Sequence, residues 1–404
     1  MEQLFAIQSL LIDEFLEGRF YQRTCFENLT YDNRLTGIVG SRGVGKTTFL
    51  LQQATLKGAK EKKALYVTAD SYYLLDFPLI ELVDKLYKET DVRLLCIDEI
   101  QKYPNWNQEL KNISDTYRNF RVLFTGSSMI DLIKAKYDLS RRATMHHLYG
   151  FSFREYLEFI HQQTLPIITL EDLLHHHEKI VGEFKIPGIL KIFNDYLRIG
   201  YYPFFTELKQ DNEKFQAIES SVQKTIYEDI ANSYTLKTNT LLIIEKLYKY
   251  VVGSLPGEMS AYKLANALGK DYESVTEYLR ILEQAGLIRF LHTEKAGKAL
   301  LRNPSKMYPE NSNLIYSAAL SQTPDQIKGK VRETFIMNQL KNSGHDVWYT
   351  DTGDYKVKEF VFEVGGKNKS FEQFKGNKNG YVVSDGILTG FKNKIPLYLF
   401  GFLY

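Results

Sequence analysis

Cysteine and long apolar runs are scarce in this sequence of 404 residues. The two cysteines, Cys25 and Cys96, offer no disulfide framework, so a reducing compartment, the cytoplasm, is expected. No stretch of 18 uncharged apolar residues occurs, which excludes a spanning helix and predicts no membrane partner. The segment 1–17 has acidic residues and no basic n-region, so it is not predicted to be a signal peptide.

A dominant charge of either sign is also lacking. The 51 basic and 49 acidic side chains leave a formal charge of +2, so any nucleic-acid binding must rest on a local patch. With 44% apolar and 25% charged residues, the composition is that of an ordinary globular protein and excludes a disordered or fibrous chain. A chain of this length suggests two to four domains, at about 100–200 residues each.

Short apolar runs alternate with helix-length segments over the first 150 residues. A helix is predicted over 47–59, and strands are predicted at 35–40, 64–69, 93–98, 121–125 and 145–149. This alternation predicts the α/β class, with a parallel sheet that carries helices on both faces. From 151 to about 252 the pattern is mostly helical. Beyond 303 we predict a helix at 330–342 and strands at 346–350, 359–364, 380–384 and 397–403.

A phosphate-binding loop is predicted where the first strand ends. The pattern G-x-x-x-x-G-K-[ST] is matched in full by Gly40, Ser41, Arg42, Gly43, Val44, Gly45, Lys46 and Thr47. Backbone N–H groups of such a loop cradle phosphates, and the following helix adds the positive end of its dipole. A nucleotide with β- and γ-phosphates and Mg²⁺ are therefore expected at this loop. Lys46 is expected on the β- and γ-phosphates, Thr47 on Mg²⁺, and Thr48 among the cofactor-binding residues.

Two carboxylates end the third predicted strand. Asp98 and Glu99 follow the apolar run 94–97, at the edge where parallel sheets bind ligands. We expect Asp98 to hold Mg²⁺ through water, and Glu99 to orient or deprotonate the attacking water. The alternative is a solvated strand end with no chemical role.

Two further polar groups follow the next strand. Ser127 and Ser128 could place a hydroxyl beside the γ-phosphate, or they could form a simple turn. Arg141 and Arg142 lie in a loop before the fifth strand. A guanidinium there could neutralise transition-state charge, in its own chain or from a neighbouring subunit. An ordinary surface ion pair is the alternative for this pair.

In this order the motifs resemble the bacterial and archaeal AAA-type ATPases that carry a C-terminal domain of unknown function. The resemblance rests on GSRGVGKTTFLLQ, LLCIDEIQKYPNWNQELKNISD, RVLFTGSS and LSRRATMHHLYGFSFREYL, with looser counterparts in YLRIGYYPFF and 329–366. It implies binding and hydrolysis of Mg-ATP. It also implies an arginine-finger role for Arg141, with Arg142 as second choice, although Ser140 stands where the family usually has glycine. It implies no particular substrate.

The segment 261–285 is predicted as two helices joined at a glycine, followed by a basic hairpin. This arrangement resembles a winged helix-turn-helix, which usually seats its second helix in the DNA major groove. The second helix, 271–285, carries four acidic residues and one basic residue, so DNA phosphates would repel it. We therefore predict a structural or protein-contacting winged helix.

The last segment resembles the core of PD-(D/E)XK nucleases, in which two acidic residues ligate Mg²⁺ and a lysine polarises the phosphate or water. The acidic residues that carry the resemblance are Glu333, Asp354, Glu359 and Glu363. Gly365 stands where the lysine is expected, and Lys367 follows two residues later. We predict an inactive domain, with a site that uses Lys367 as the alternative. Eight lysines against four acidic residues over 356–394 could hold nucleic acid or form a solvated face.

Four domains are predicted: an AAA-type ATPase at 1–165, a helical connector at 166–255, a winged helix at 256–310 and a nuclease-like α/β domain at 311–404. The predicted function is an ATP-driven switch or remodeller whose C-terminal half engages an unidentified protein or nucleic acid, with a homo-oligomer as one assembly. One alternative is an ATP-dependent nuclease or nucleic-acid-processing protein, which the missing lysine disfavours. Another is a non-catalytic nucleotide-gated scaffold, which the carboxylates Asp98 and Glu99 disfavour.

Overall fold

The computed structural model describes residues 1–18, 21–23, 33–75, 77–126, 139, 142–184, 186–254, 260–294, 306–318, 324–374 and 377–404. The chain forms two compact units. The first contains Met1–Tyr149 and Asn232–Thr235, and the second contains Gly150–Ala231 and Leu236–Tyr404. Within the described ranges, no helix is long and apolar enough to cross a membrane.

The first unit contains a five-stranded parallel sheet. Its strands are β1 (Leu35–Val39), β2 (Ala64–Thr68), β3 (Leu94–Asp98), β4 (Arg121–Gly126) and β5 (Ala143–His147). They are ordered β2-β3-β4-β1-β5, and every neighbouring pair is parallel. This confirms the predicted α/β class and parallel sheet. The predicted strands agree with the observed ones to within about two residues at each end.

The helices of this unit are α1 (Glu2–Glu17), α2 (Lys46–Leu56), α3 (Tyr72–Leu75), α4 (Leu79–Glu89) and α5 (Trp106–Thr116). Alternate residues of β2 and β3, such as Leu65 and Ile97, pack with Leu82 of α4 and Leu110 of α5 in one core. Helix α2 contacts β2, β3 and β4. Because successive side chains of a strand point to opposite faces, alternate strand residues meet the helices on each face.

Helix α1 covers the edge of the sheet at β2. A strand at an edge has N–H groups with no neighbouring strand to accept from them. Gln8 supplies an acceptor, because the backbone N–H of Tyr66 donates to its Oε1 at 2.5 Å. The Nε2 of Gln8 donates in turn to the Ala59 carbonyl at 3.2 Å. A glutamine that is only 2% exposed therefore fixes α1 to the sheet edge.

The second unit is mostly helical at its beginning. Its α-helices are α6 (Phe153–His161), α7 (Leu170–Glu183), α8 (Ile189–Asp195), α9 (Asp211–Lys224), α10 (Ala231–Tyr234), α11 (Thr238–Gly253), α12 (Ala261–Leu268), α13 (Tyr272–Gln284), α14 (Ser312–Ala318) and α15 (Pro324–Asn342). Of α10, only Ala231 belongs to this unit, because Asn232–Thr235 are part of the first. Two π-helical turns extend α8 and α9, at Tyr196–Gly200 and Thr225–Ile230.

Two small sheets belong to this unit. The antiparallel pair is β6 (Ile288–Leu291) and β7 (Lys306–Pro309). The other sheet contains β8 (Tyr355–Val357), β9 (Phe360–Gly365), β10 (Gly380–Ser384) and β11 (Lys394–Pro396), in the order β11-β10-β9-β8. Within it, β8 and β9 are antiparallel, and β9, β10 and β11 are parallel.

Helix α6 belongs to the second unit, although the predicted ATPase domain extended to residue 165. The helix begins at Ser152, whose hydroxyl accepts from the Glu155 N–H at 3.1 Å. The Phe153 ring then lies 5.0 Å from the Phe193 ring and 6.0 Å from the Phe402 ring, between ring centroids. These partners come from distant parts of the chain, so the division of units falls at residue 149.

The prediction of a strand at 397–403 was wrong. Leu397–Phe402 is a 3₁₀-helix, and all six of its residues are buried. A short run that is apolar throughout has no period, so pattern alone does not separate a strand from a buried helical segment. The strand predicted at 346–350 appears only as isolated bridges, which pair Trp348 with Lys356 and Tyr349 with Thr293.

Candidate nucleotide-binding site

The loop between β1 and α2 has the backbone shape that a phosphate-binding loop needs. Gly45, at the N-cap of α2, has a φ of 94°, which strains any residue with a Cβ. A Cβ at Gly40 would lie 2.2 Å from the Leu148 carbonyl oxygen, so only glycine fits there. The first-turn N–H groups of α2 lack partners within the helix and are available to an anion.

Lys46 places its ammonium within this loop. Its side chain is only 6% exposed. The Nζ donates to the Gly40 carbonyl at 2.9 Å and to the Ser41 carbonyl at 3.0 Å. The positive charge therefore lies against the same backbone turn that the sequence predicts to hold the phosphates.

Asp98, at the end of β3, is 4% exposed and accepts hydrogen bonds at both carboxylate oxygens. Its Oδ2 accepts from the Thr47 hydroxyl at 2.6 Å and from the Tyr66 hydroxyl at 3.2 Å. Its Oδ1 accepts from the Glu99 N–H at 3.2 Å and from the Thr125 hydroxyl. The two residues predicted to hold the metal, Thr47 and Asp98, are thus in direct contact. Hydroxyl and carboxylate oxygens are ligands that suit Mg²⁺.

Glu99 has a left-handed backbone with a φ of 53°, which is uncommon for a residue other than glycine. Two contacts hold it there. Its N–H also donates to the Thr125 hydroxyl at 3.1 Å, and its Oε2 accepts from the Gln101 side chain at 2.7 Å. Strained backbone of this kind concentrates at functional sites, so the observation favours a chemical role over a solvated strand end.

Thr125 and Tyr66 are site residues that the sequence analysis missed. Ile97 pairs with Phe124, which brings Thr125 beside Asp98 at the end of β4. On the other side of β3, Tyr66 of β2 pairs with Cys96 of β3. Burial and the Asp98 carboxylate raise the pKa of Tyr66 well above its ordinary value, so its phenol stays a donor. Strand order was the missing information. The available signal was a hydroxyl residue in each neighbouring strand, Tyr66 in the middle of β2 and Thr125 near the end of β4.

The remaining predicted residues of this site are placed only in part. Ser127, Ser128 and Arg141 lie outside the described residues. Arg142 forms a two-pronged ion pair with Asp115 of α5, with Nε–Oδ1 and Nη2–Oδ2 distances of 2.7 and 3.0 Å. Arg142 thus forms an ordinary surface ion pair, which was the alternative considered from the sequence.

An acid–lysine cluster lies in the second unit. Lys306 places its Nζ 3.2 Å from Asp354 Oδ1 and 3.6 Å from Glu333 Oε2. The Tyr308 hydroxyl donates to Glu333 at 3.0 Å. Burial, helped by the Asp354 charge, raises the pKa of Glu333 to about 7. Two of the predicted acidic residues are therefore close together, with a lysine between them.

Glu363 forms an ion pair with Lys369, not with the Lys367 considered from the sequence. A Cβ at Gly365 would lie 2.8 Å from Lys369 Cβ, so the Lys369 side chain fills the space beside this glycine. Within the described ranges, no three histidine, cysteine or acidic side chains are grouped closely enough to hold a metal ion.

The predicted helix pair and hairpin strands are present in the second unit. Helices α12 and α13 are joined at Gly269, whose φ of 61° ends the first of them. Strands β6 and β7 follow as an antiparallel pair, and residues 295–305 of the segment between them lie outside the described residues. The N-terminus of α13 is capped by Asp271, which accepts from the Ser274 N–H at 2.7 Å.

Two family models each match part of the chain. Residues 32–157 match a family model described as an AAA domain, and residues 190–324 match a domain of unknown function, DUF8612. The AAA match, together with the loop and sheet, supports an AAA-type P-loop ATPase family.

Two relatives and one solved structure illustrate these similarities. The uncharacterized protein MJ1637 of Methanocaldococcus jannaschii is 27% identical over 89% of this chain and 81% of its own length. MJ1544 of the same organism is 24% identical over 84% of this chain and 74% of its own length. The Walker-type ATPase paby2304 of Pyrococcus abyssi aligns with a TM-score of 0.43 and 11% identity, covering 78% of this chain and 95% of that one.

Proposed function

We propose that the first unit binds and hydrolyses Mg-ATP at residues 40–47, and that the chain acts as a nucleotide-driven switch or remodeller. One observation carries the proposal: the Thr47 hydroxyl and the Asp98 carboxylate are in contact at 2.6 Å. This contact joins the helix that follows the glycine-rich loop to the acidic end of β3. The pairing is what a nucleotide-bound Mg²⁺ needs from the protein.

Each residue of the loop has a role in this proposal. Lys46 exchanges its two carbonyl partners for the β- and γ-phosphate oxygens, and the backbone N–H groups of the loop hold the remaining phosphate charge. Thr47 and Asp98 would hold Mg²⁺, which supplies charge neutralisation on the phosphates when it is bound. The remaining loop contacts are assigned to Gly40, Ser41, Arg42, Gly43, Val44, Gly45 and Thr48.

Glu99 acts on the attacking water. Its carboxylate orients the water and accepts a proton as the new bond to the γ-phosphorus forms and the bond to the β–γ bridging oxygen breaks. The contacts from its N–H to Thr125 and from Gln101 to its Oε2 support this role, because they fix both ends of the residue. Ser127 and Arg141 are assigned to the γ-phosphate, with Arg141 acting in its own chain or from a neighbouring subunit of a homo-oligomer.

We propose that the second unit engages a macromolecular partner. Helices α12 and α13 with strands β6 and β7 would form a winged helix, and the acidic residues of α13 favour a protein partner over DNA. The sheet β8–β11 with α15 would form a nuclease-like module without activity. Lys306 forms ion pairs with both Glu333 and Asp354, and Lys369 forms one with Glu363, which supports this assignment. The scarce cysteines, with Cys96 a buried free thiol, favour the cytoplasm as its location.

The direct test is nucleotide affinity in a matched pair of lysine variants. Lys46→Ala removes the ammonium from the loop, and Lys57→Ala removes one at the C-terminal end of the same helix. Binding of a fluorescent ATP analogue to the full chain should be lost in Lys46→Ala and retained in Lys57→Ala. Wild-type affinity in Lys46→Ala would show that the nucleotide site lies elsewhere.

A further inference from the structure

Asp98 has a partner on the neighbouring strand that the phosphate-binding motif does not include. Tyr66 of β2 lies opposite Cys96 of β3, two residues before Asp98. Residues paired across parallel strands point to the same face, and so do residues i and i+2 of one strand. The Tyr66 side chain therefore shares a face with Asp98 and extends along the strands toward it. Its hydroxyl reaches Asp98 Oδ2 at 3.2 Å.

The hydroxyl completes a set of four donors around one carboxylate. Thr47 and Tyr66 donate to Oδ2, and Thr125 and the Glu99 N–H donate to Oδ1. With donors at both oxygens, the carboxylate plane cannot rotate without losing hydrogen bonds. Because Asp98 and Tyr66 are only 4% and 5% exposed, water cannot easily replace a lost donor.

We propose that Tyr66 is a positioning residue for the cation site, acting through Asp98 by fixing the orientation of its carboxylate. This inference rests on the proposed Mg-ATP function. Tyr66 would contact neither the nucleotide nor the metal. It would set the direction in which Asp98 Oδ2 faces Thr47, and so the affinity for the divalent cation that these two residues hold.

The backbone of Tyr66 is itself fixed. Its N–H donates to Gln8 of α1 at 2.5 Å, and Gln8 also donates to the Ala59 carbonyl. Strand β3 holds the other side of the residue. A tyrosine anchored in this way can hold a neighbouring carboxylate, because little of its own freedom remains to be lost. The N-terminal helix is thus one support of the cation site.

The experiment compares two Tyr→Phe variants of the full chain. Tyr66→Phe removes the donor to Asp98. Tyr117→Phe removes a similar phenol-to-aspartate hydrogen bond in the same unit, the 2.7 Å bond to Asp84 on α4. Free Mn²⁺ is measured by electron paramagnetic resonance in the presence of a non-hydrolysable ATP analogue. Affinity for the same analogue is measured separately in EDTA, below the unfolding temperature of every variant.

Loss of an outer partner of a metal ligand typically costs about 10–100-fold in metal affinity. Because three other donors remain on Asp98, we expect the lower end, about a tenfold rise in the Mn²⁺ Kd of Tyr66→Phe. Nucleotide affinity in EDTA should stay at the wild-type value, and Tyr117→Phe should match the wild type in both measurements.

The outcomes separate this inference from the function on which it rests. If the wild type binds the analogue and Mn²⁺ but Tyr66→Phe has an unchanged Mn²⁺ Kd, the positioning role is refuted and the ATP site stands. An equal loss of metal affinity in both variants would also refute it, because the effect would then be one of general stability. If the wild type binds no analogue, the proposed function fails and this inference fails with it.

Discussion

Replacing Thr125 with valine should reduce ATP turnover while leaving the fold intact. The change keeps the shape of the side chain and removes one hydroxyl. That hydroxyl donates to Asp98 Oδ1 and accepts the Glu99 N–H at 3.1 Å, so it connects the two acidic residues of the site. A hydrogen bond to a charged group contributes about 1.5–3 kcal/mol. Since about 1.4 kcal/mol corresponds to a tenfold change in rate, the turnover number should fall by about ten- to a hundredfold.

The assay is steady-state release of phosphate from Mg-ATP by the full chain, with affinity for an ATP analogue measured alongside. Thr125→Ser is the matched control, because serine keeps the hydroxyl and should retain most of the turnover. Nucleotide affinity should change little in Thr125→Val, since Thr125 contacts Asp98 and Glu99 and not the loop. Turnover by Thr125→Val within twofold of the wild type would refute the claim that this hydroxyl holds the acidic pair in its working geometry.

Three further predictions concern both units. Arg141→Ala should lower turnover with little change in nucleotide affinity. If the arginine acts between subunits, mixing Arg141→Ala chains with Glu99→Gln chains should restore partial activity. Unchanged turnover in Arg141→Ala would remove the role from Arg141. The wild type should not cleave plasmid or single-stranded DNA or RNA with Mg²⁺ or Mn²⁺; cleavage that both Glu363→Ala and Lys369→Ala abolish would contradict this. Burial raises the pKa of Glu333 from 4.5 to about 7. The wild type therefore loses stability as this group ionises between pH 4.5 and 7. The unfolding temperature of Glu333→Gln, relative to the wild type, should therefore rise between pH 4.5 and 7, and a pH-independent difference would contradict the shift.

The elements of the nucleotide site that are local in sequence could be predicted, and those that depend on strand order could not. Residues 40–47 form one continuous pattern, and Asp98 follows an apolar run at the carboxyl end of a predicted strand. The loop and the aspartate could therefore both be identified from the sequence. Thr125 and Tyr66 reach Asp98 only because β2 and β4 lie on either side of β3. No local pattern gives this order. The sequence pattern accordingly predicted Ser127, two residues beyond Thr125, and not Thr125 itself.

The second unit shows the same limit in another form. Its helix pair α12–α13 and strands β9 and β10 could be predicted, because a glycine or a clear apolar run marks each of them. Lys369 was missed as the partner of Glu363, since the chain turns after Gly365 and brings a later lysine back over this glycine. The placement of Phe153 in the second unit also depends on distant residues, because its ring partners lie at 193 and 402 and not nearby in sequence.

The most direct measurement of the central claim is phosphate release from Mg-ATP by the wild type and by two glutamate variants. Glu99→Gln removes the proposed base, and Glu81→Gln makes the same change at an exposed position on α4. General-base catalysis typically contributes about 10²–10⁴-fold, so Glu99→Gln should lose at least about a hundredfold in turnover while keeping its affinity for Mg-ATP. Glu81→Gln should match the wild type. No phosphate release by the wild type, or equal turnover in Glu99→Gln and Glu81→Gln, would contradict the account.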